Sequence, residues 1–392
     1  MLSDLFSISL LVLVLVVSHV IPFCLAEGQL ADDVVEWVRS QKGYFSEKLE
    51  IRRMDASDPK SPFGIFAEED LDAGETIMQI PRECYIYIFD DTRGTHKNDS
   101  MDATTTEYNA NLCRLAQRTM KEMKLDDKSI YAPYVRYLNN QSRRQLPATW
   151  SEKSKALLRD LFPPDDDGVD WIDFDFKGGC FEFNDPFEEH VVALIKQRGY
   201  DTALIPLWDM VNHDNGKINT DNTSMYDKEG IRVWSSNEIK KGEEIFASYD
   251  KCLDCSDIST YWGTKEILRD FGFVEGYPRR VIYYDEDIWF EVWEGAGGEK
   301  EVRWDDYGID KDSEEYDADG DFDGSPGRSG VNFLRKELKR IDEMPPHDED
   351  KCSADVPLFE CSMILQYKSA VTEALSLAID NAESMLARNE EL

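Results

Sequence analysis

The hydrophobic pattern around which the rest of the chain is organised lies in residues 203–249. It opens with a short apolar run over residues 203–207, which contains a proline and passes into the sequence WDMVNHDNG. A run this short, followed by Asn, Asp and Gly, predicts a buried strand that enters a turn. Asp209, Asn212 and His213 would then lie where a strand gives way to a loop, which is where binding and catalytic residues often lie.

Two later segments of the same stretch, residues 231–234 and 244–249, alternate between apolar and polar side chains. Lys241 and Gly242 separate the two segments, and glycine favours a turn. The pattern predicts two more strands joined by a turn, with Tyr249 at the end of the second strand.

Other parts of the chain show helical spacing. Residues 32–38 begin with Asp at a capping position and predict a short helix. Residues 93–189 are largely helical in pattern, most clearly at 107–123 and 151–161, and prolines interrupt them. Residues 357–392 predict one amphipathic helix packed on the core, because too few residues remain for a full helical domain. Its apolar residues repeat every three or four positions: Ile364, Tyr367, Val371, Leu375, Ala378, Ala382 and Met385.

Four motifs follow one another in a specific order. They are FGIFA, which is followed by EEDLDAGE, then PLWDMVNH, then NEIKKGEEIFASY and finally EILRDFGFVE. In this order they resemble the SET domain, in the branch that includes the Rubisco large-subunit methyltransferase and the actin-histidine methyltransferase. The resemblance covers residues 33–284, with a stretch of low similarity in the middle.

The resemblance implies an α+β fold class: a mostly β SET fold with a pseudo-knot, a helical insertion at about residues 93–195 and a short helical C-terminal extension. We therefore expect a SET domain over residues 33–284, an acidic linker over 285–330 and a helical C-terminal region over 331–392. The insertion would form one wall of a substrate groove, or would simply cover the sheet.

The same resemblance implies S-adenosylmethionine as the cofactor and a lysine side chain of a protein as the methyl acceptor. Tyr249 matches the family's catalytic tyrosine, which orients the incoming amine. On the residues alone, a core tyrosine at a strand end would be the simpler interpretation. We expect the loops around Gly64, His213 and Tyr249 to converge on one narrow tunnel.

The candidates for donor binding also come from the resemblance. Asn212 and His213 match the Asn-His step that contacts the donor, although such a pair could also be a simple turn. Arg198 could pair its guanidinium with the donor carboxylate, or could be a surface arginine of a helix. Phe273 would be an apolar wall for the adenine. The remaining candidates lie near the pocket or in its first loop: Asp209, Pro62, Phe63 and Gly64.

Methyl transfer makes few demands on side-chain chemistry. It is an in-line displacement, so donor and amine must be aligned and held at about 3–3.5 Å. The reaction needs no metal ion and no protein nucleophile, and we assign no metal site. The acceptor lysine must be neutral, and burial beside a positive sulfonium would lower its pKa.

The chain departs from the family pattern at two places. Pro62 and Phe63 precede Gly64, where family members often have glycine or charged residues. Phe271 stands where members of the branch often have tyrosine, and Tyr261 could replace the missing hydroxyl. These departures keep a second function open, namely a catalytically impaired SET-fold module that binds protein.

Two further alternatives concern the chemistry. Histidine could be the acceptor, since one relative in the branch methylates histidine. A secreted hydrolase would use Ser248, His213 and Asp209. No GxSxG motif surrounds Ser248, which disfavours the hydrolase.

Charge restricts the partners. The chain of 392 residues has 44 Lys+Arg against 80 Asp+Glu, and its net charge of −36 repels phosphate backbones. We therefore expect no nucleic acid as a partner. An acidic surface favours a protein substrate with a basic segment, or serves solubility alone.

The length of the chain fits about two domains or one elaborated domain, and we expect the protein to be a monomer.

The N-terminal segment predicts a secretory address. Residues 5–17 are apolar, but the run is shorter than the roughly 20 residues of a membrane span. Ala26 before Glu27 suits cleavage by signal peptidase. Residues 1–26 therefore predict a signal peptide and a location in the endoplasmic reticulum lumen or outside the cell. Because Asp4 and no Lys or Arg precedes the run, an uncleaved membrane anchor is the alternative.

The chain has 8 cysteines, and Cys24 lies in the leader. The rest are odd in number, so in an oxidising compartment at least one thiol would stay free or pair outside the chain. Cys252 and Cys255 form a CxxC pair that could be half a zinc site or a redox pair. No second pair of ligands stands nearby in the sequence, which favours a local loop constraint or two free thiols.

Two minor patterns complete the sequence. Residues 319–324 begin like a calcium-binding loop, but Gly330 stands where a bidentate Glu is needed, so we expect a solvated linker. The triplets that begin at Asn98, Asn140 and Asn222 would be glycosylation acceptors if the chain enters the secretory route.

Overall fold

The computed structural model describes residues 28–55, 62–88, 105–143, 145–163, 168–172, 176, 180–182, 185–200, 202–249, 262–304, 326–345 and 355–391. Several predictions fall on other residues. The signal peptide, Asn98, the CxxC pair, Tyr261 and the calcium-like stretch at 319–324 lie outside the described residues.

The chain divides into two compact units that alternate along the sequence. The first unit contains Met1–Ser142, Arg198–Asn212 and Ile218–Ala247. The second unit contains Arg143–Gln197, His213–Lys217 and Ser248–Leu392. The predicted pseudo-knot stays a prediction.

Within the described residues, the first unit holds most of the short strands and three α-helices. Its helices are α1 (28–40), α2 (Thr105–Leu125) and α3 (Ala132–Asn139). Its strands are β1 (Tyr44–Phe45), β2 (Leu49–Arg53), β3 (Phe63–Ala67), β4 (Thr76–Ile80), β5 (Ile86–Tyr87), β6 (Gly199–Tyr200), β7 (Ala203–Leu204), β8 (Asn212–His213, where the chain leaves this unit), β9 (Thr220–Asn222), β10 (Ile231–Ser235) and β11 (Phe246–Ala247).

Antiparallel pairing organises these strands. One sheet has the order β1-β4-β10-β9, a second pair joins β2 to β3, and a third sheet has the order β5-β7-β6. In β10 the side chains of Ile231 and Val233 are buried while Arg232 is exposed, as the predicted alternation requires. The helices predicted at 32–38 and 107–123 are confirmed as parts of α1 and α2.

The strands predicted at 231–234 and 244–249 are confirmed in part. The first is β10, but the second is shorter and lies outside the sheet of β10. Gly242 turns the chain with φ +88°, and the segment after it follows β3 instead. The backbone N–H of Ile245 donates to the Ile65 carbonyl at 2.8 Å, and that of Ala67 donates to the Glu243 carbonyl at 2.9 Å.

The second unit is built around a three-stranded sheet and long helices. Its antiparallel strands are β12 (Arg279–Tyr283), β13 (Ile288–Glu294) and β14 (Lys300–Trp304). Its helices are α4 (Glu152–Leu161), α5 (Pro186–Arg198, whose last residue belongs to the first unit), α6 (Thr264–Phe271), α7 (Arg328–Glu343) and α8 (Leu358–Glu391).

The core of the second unit packs the apolar stripe of α8 against the sheet, α4 and α7. Ile364, Leu375 and Ala378 of α8 are fully buried in the same cluster as Phe290 of β13 and Leu158 of α4. The helices predicted at 151–161 and 357–392 are confirmed. Burying such a continuous stripe is the main source of helix stability in water.

The predicted α+β fold class is confirmed, with more helix than the expected mostly β fold, because helices contain more of the described residues than strands do. The predicted helical C-terminal extension is confirmed as well. It consists of α7 and α8, and α8 alone has 34 residues. The linker predicted at 285–330 is wrong for its first part, which forms β13 and β14. The acidic residues of this segment suggested a solvated linker, although its Ile288, Phe290 and Val292 are buried.

The cysteines differ in state. Cys113, Cys180 and Cys361 are disulfide-bonded, whereas Cys84 is a free and buried thiol. The prediction of a leftover thiol is thus confirmed. Burial raises the pKa of Cys84 to about 12, so the thiol stays protonated. Within the described residues, no helix has both the length and the apolar character needed to cross a membrane.

A buried tyrosine ties the main sheet of the first unit together. The Tyr85 hydroxyl accepts from the backbone N–H of Ile231 at 2.6 Å and donates to the Ile80 carbonyl at 3.3 Å. We expect Tyr85→Phe to lower the free energy of unfolding by about 1–3 kcal/mol, because a buried N–H loses its acceptor. Urea denaturation measures this loss. Exposed Tyr44→Phe is the control, and equal midpoints for the two variants would contradict the role of the hydroxyl.

Candidate functional site

The predicted site residues fall into two groups, one in each unit. Pro62, Phe63, Gly64, Arg198, Asp209 and Asn212 belong to the first unit, and His213, Tyr249, Phe271 and Phe273 belong to the second. Asn212 and His213 are consecutive in sequence, at one of the places where the chain passes from one unit to the other. The convergence of the two groups on one tunnel stays a prediction.

In the first unit, the Asn212 side chain holds the loop at the start of β3. Its Nδ2 donates to the Phe63 carbonyl at 3.0 Å and to Glu244 Oε1 at 2.7 Å. Gly64 permits this approach, because a Cβ there would lie 2.2 Å from Glu244 Oε1. Pro62 is exposed next to them. The first motif and the Asn-His motif, distant in sequence, are therefore brought together around Asn212.

Glu244 is a member of this group that was not predicted from the sequence. It lies in the GEEIF motif, where it follows Glu243 and looks like a surface residue. In the structure its backbone pairs with Phe66 of β3, and its carboxylate binds Asn212. The signal was present in the motif, but nothing in the sequence showed that the two strands run side by side.

A second feature of the first unit is the ion pair of Arg198 and Asp209. Arg198 Nη1 donates to the Asp209 carbonyl at 2.9 Å and to its Oδ2 at 3.4 Å. Arg198 Nη2 donates to Gln141 Oε1 at 2.7 Å. The Tyr134 hydroxyl donates to Asp209 Oδ2 at 2.9 Å. Arg198 thus braces the turn that leads into Asn212, and its predicted pairing with the donor carboxylate stays a prediction.

Asp209 is a buried carboxylate. Its side chain has 0% exposure, against 18% for Arg198. Burial raises the pKa of Asp209 above its usual value, and the charge of Arg198 works in the opposite direction. Among the described residues, Asp209 Oδ1 has no hydrogen-bond partner. A buried acceptor without a donor is costly, so this oxygen is a position where a ligand donor would be stabilised.

The backbone before Asp209 explains why the predicted strand at 203–207 is too long. Strand β7 ends at Leu204, and Leu207 adopts φ +68° while fully buried. The N–H of Asp209 donates to the Ile205 carbonyl at 3.1 Å, which closes the turn. A branched residue at positive φ is strained, and such strain is often kept at functional sites.

In the second unit, His213 and Tyr249 are joined by a hydrogen bond. The backbone N–H of Tyr249 donates to His213 Nδ1 at 2.9 Å, and the two rings lie 5.2 Å apart between centroids. His213 Nε2 lies 3.2 Å from Glu275 Oε2. Tyr249 was predicted to end a strand, and it lies two residues beyond the end of β11.

Aromatic rings surround Tyr249. Its ring centroid lies 4.6 Å from that of Phe271 and 6.5 Å from that of Phe273. Phe273 also contacts His213 at 5.9 Å, and Trp262 packs on Phe271 at 5.9 Å. Three predicted residues of this unit are thus brought together in an apolar setting. Such a setting disfavours a charged amine.

Local structure positions this aromatic group. Helix α6 ends at Gly272, which has φ +84° as its left-handed cap. The chain then reverses, so Phe273 and Glu275 return beside the helix and the Thr264 hydroxyl reaches Glu275 Oε1 at 2.7 Å. Glu275, Thr264 and Trp262 were not predicted from the sequence. Glu275 follows Phe273 by two residues within the FGFVE motif, which was the available signal.

The hydrolase alternative finds no support in these contacts. Ser248 Oγ donates to Asn215 Oδ1 at 2.9 Å. The ring nitrogens of His213 face the Tyr249 backbone and Glu275, while Asp209 Oδ2 is held by Tyr134 and Arg198. The three residues therefore each have other partners than a catalytic triad requires.

The segment that carries the predicted site residues is similar to a known protein family. Residues 62–250 match the family model of the SET domain, from Pro62 to the residue after Tyr249. A search of curated proteins finds no match.

Solved structures show the same fold. The SET domain of LSMT bound to lysine and AdoHcy has a TM-score of 0.51 and 11% identity, and covers 92% of each chain. Rubisco LSMT bound to AdoMet has a TM-score of 0.53 and 12% identity, and covers 93% of each chain. A third, the SET domain of LSMT bound to MeLysine and AdoHcy, has a TM-score of 0.51 and 11% identity, and covers 91% of each chain.

The Arg198–Asp209 pair allows a direct test of the brace. We expect Arg198→Met to lower the free energy of unfolding by about 3–5 kcal/mol at pH 7, because it leaves a buried carboxylate without its cation. Arg136→Met removes a surface ion pair with Asp127 and should cost about 0–1 kcal/mol. Denaturant titration at pH 7 compares the two variants.

The loss of stability in Arg198→Met should depend on pH, and the buried pair determines in which direction. A carboxyl group whose pKa is raised in the folded state binds more protons there than in the unfolded chain, so its contribution to stability falls as pH rises through that range. Losing Arg198 should raise the pKa of Asp209 further. The deficit of Arg198→Met should therefore be larger at pH 7 than at pH 4, and a deficit that grows on acidification would contradict the buried pair.

Proposed function

The chain carries a SET domain over residues 62–250, and from this premise we propose that it transfers methyl groups from S-adenosylmethionine to a lysine side chain of a protein substrate. The structures that share its fold support the proposal, since they hold AdoMet, or AdoHcy together with lysine or MeLysine. A family model and a ligand set that agree on one reaction carry more weight than either alone.

The observation that carries the proposal is the setting of Tyr249. Its backbone is fixed by His213 and its ring is packed by Phe271 and Phe273. A phenol held in this way can orient an incoming amine without reorganising. Since methyl transfer is an in-line displacement, positioning supplies most of what the protein must contribute.

The residues present fit the donor. S-adenosylmethionine would supply an activated methyl group on its sulfonium. Phe273 offers an aromatic face for a flat base. Asn212 offers an amide, and the Glu244 carboxylate beside it at 2.7 Å suits a cationic ammonium group. The buried Oδ1 of Asp209 is a further acceptor in the same unit.

The aromatic group also bears on the protonation state of the acceptor. A lysine must lose its proton before its nitrogen can attack. The rings of Phe271 and Phe273 pack beside Tyr249, and Trp262 packs on Phe271, so apolar surface replaces part of the water around the half-buried Tyr249. Desolvation lowers the pKa of an ammonium group, so this environment favours the neutral amine.

Phe271 favours one competing function. It places a ring without a hydroxyl 4.6 Å from Tyr249, where members of the branch often have tyrosine. Together with Pro62 and Phe63 at the first loop, this supports a SET-fold module that binds protein without catalysis. Calorimetric titration of S-adenosylmethionine into the full chain separates the two functions. Heat of binding and a thermal shift favour the enzyme, and the absence of both favours the module.

The proposal also includes the class of substrate and the cellular location of the protein. The net charge of −36 supports a protein substrate with a basic segment. Three disulfide-bonded cysteines, Cys113, Cys180 and Cys361, support an oxidising compartment. We therefore place the enzyme in the lumen of the secretory pathway or outside the cell, as a monomer. Histidine is the alternative acceptor.

Replacing Tyr249 tests the mechanism. We expect Tyr249→Phe to lower kcat by more than about tenfold, the range in which one lost orienting hydrogen bond falls, while the Kd of the donor stays nearly unchanged. Single-turnover transfer of a labelled methyl group gives the rate, and calorimetry gives the Kd. Tyr284→Phe removes a half-exposed hydroxyl of the same unit and serves as the control. An unchanged rate in Tyr249→Phe would remove this residue from the mechanism.

A further inference from the structure

Two acceptor triplets for asparagine-linked glycosylation fall within the described residues, and the structure treats them differently. We propose that Asn140 carries an N-linked oligosaccharide in the mature protein and that Asn222 does not. In this reaction Asn140 Nδ2 loses a proton and forms a bond to the anomeric carbon of the sugar. The polyprenyl diphosphate that carried the oligosaccharide leaves with the bonding electron pair.

Asn140 is accessible. It is exposed at the C-cap of α3, with φ −90° and ψ −3°, and only its backbone N–H is bonded, to carbonyls of the preceding turn. Ser142, the hydroxyl residue of the triplet, is exposed as well. No described contact occupies the side chain of either residue, so a glycan on Asn140 would displace nothing of the fold.

Asn222 is enclosed. It lies in β9, pairs with Val233 of β10 and has 9% exposure. Its Nδ2 donates to the Thr223 carbonyl at 2.9 Å and to the Tyr200 hydroxyl at 3.4 Å. An N-linked sugar would replace a hydrogen of this amide and force a bulky polar group into the sheet. The folded protein therefore excludes a glycan at Asn222.

The disulfide-bonded cysteines of the chain agree with the oxidising compartment in which asparagine-linked glycosylation takes place. Disulfides persist where the environment is oxidising, which is also where oligosaccharide transfer takes place. Cys113, on α2 of the same unit as Asn140, is disulfide-bonded. This support is independent of methyl transfer, so the inference stands apart from the proposed function.

Site-specific mass spectrometry tests the inference. The full chain with its own leader is expressed in eukaryotic secretory cells, treated with peptide N-glycosidase in heavy-oxygen water and digested. We expect heavy-oxygen deamidation at Asn140 and an unmodified Asn222 in folded protein. Ser142→Ala should abolish the label at Asn140 without removing Gln141, which binds Arg198.

Ser224→Ala is the matched control, because it destroys the second triplet and should leave the glycan pattern unchanged. An unmodified Asn140 in the folded protein would overturn the inference. A glycan at Asn222 in folded protein would overturn it too, since that outcome would contradict the enclosed sheet position.

A second inference rests on a different observation and on the proposed function. We infer that Glu275 is a positioning residue for Tyr249, acting through His213. Because His213 Nδ1 accepts from the Tyr249 backbone, the ring proton of the neutral imidazole must lie on Nε2. That proton points to Glu275 Oε2 at 3.2 Å, and Thr264 holds the other carboxylate oxygen.

The consequence is a chain of hydrogen bonds that ends at the backbone of Tyr249. Glu275 fixes the tautomer and the ring orientation of His213, and His213 fixes the segment that bears the phenol. His213 and Glu275 have 8% and 6% exposure, so water does not readily replace either partner. Without the carboxylate, the ring could rotate and release the Tyr249 N–H.

Two variants and two readouts test this inference on the full chain. Glu275→Ala should lower kcat by about 10- to 100-fold, the cost of misplacing a reacting group by roughly 1 Å. Glu275→Gln keeps an acceptor for Nε2–H and should stay within about threefold of the natural rate. Nitrogen-15 NMR of the His213 ring and hydrogen exchange of the Tyr249 amide report the positioning directly.

The spectra separate a failed inference from a failed function. The wild type should show an Nε2-protonated His213 and a protected Tyr249 amide, and Glu275→Ala should lose both signatures. Only 5 histidines make the spectrum assignable. Unchanged spectra in Glu275→Ala would overturn the inference, whether or not the protein transfers methyl groups. Inactive wild-type protein with the expected spectra would overturn the proposed function alone.

Glu360→Ala is the matched control for this set. Glu360 is a carboxylate of similar burial in the same unit, with 5% exposure, and it binds Ser151 and Ser154 instead. It should lower stability without changing the His213 spectrum. A change of that spectrum in Glu360→Ala would show that general destabilisation explains the effect of Glu275→Ala, and the inference would fall.

Discussion

The hydrogen bond from the Tyr249 backbone to His213 Nδ1 is the contact on which the candidate site of the second unit depends. It joins two chain segments that lie 36 residues apart. Because the acceptor is a ring nitrogen with a defined tautomer, the bond also sets the direction of the other nitrogen toward Glu275. The aromatic packing of Phe271 and Phe273 can place the Tyr249 ring only if this backbone is held first.

In the first unit, the Asn212 side chain joins chain segments that are distant in sequence. Its amide connects the Phe63 carbonyl to Glu244, and Gly64 leaves the room for that approach. Asn212 and His213 are neighbours in β8, and each has its own partners: Phe63 and Glu244 for Asn212, Tyr249 and Glu275 for His213.

The elements that the sequence could predict are those whose signal is local. The amphipathic helices α4 and α8 depend on spacing within one segment, and the predicted ranges agree closely with the structure. Tyr249, Asn212 and His213 lie in motifs that a family resemblance can identify. Their neighbours within each unit, Glu244 and Glu275, depend on long-range pairing that no local pattern encodes.

The predictions that went wrong share this cause. The strand at 203–207 stops at Leu204, because the buried Leu207 is held in a strained turn by its surroundings. Strand β11 is shorter than the predicted 244–249, because the segment just before it hydrogen-bonds to β3 instead. Strand β13 pairs with β12 and β14 pairs with β13, and this sheet pairing outweighs an acidic composition that is typical of a linker.

Transfer of a radiolabelled methyl group tests the central claim most directly. Full-length protein is incubated with labelled S-adenosylmethionine and an extract of secretory-pathway proteins, and the labelled amino acid is identified after complete hydrolysis. The account predicts label in methyl-lysine of a protein band, and no label above background with Tyr249→Phe. Label confined to methyl-histidine, or no transfer by a protein that binds the donor, would contradict it.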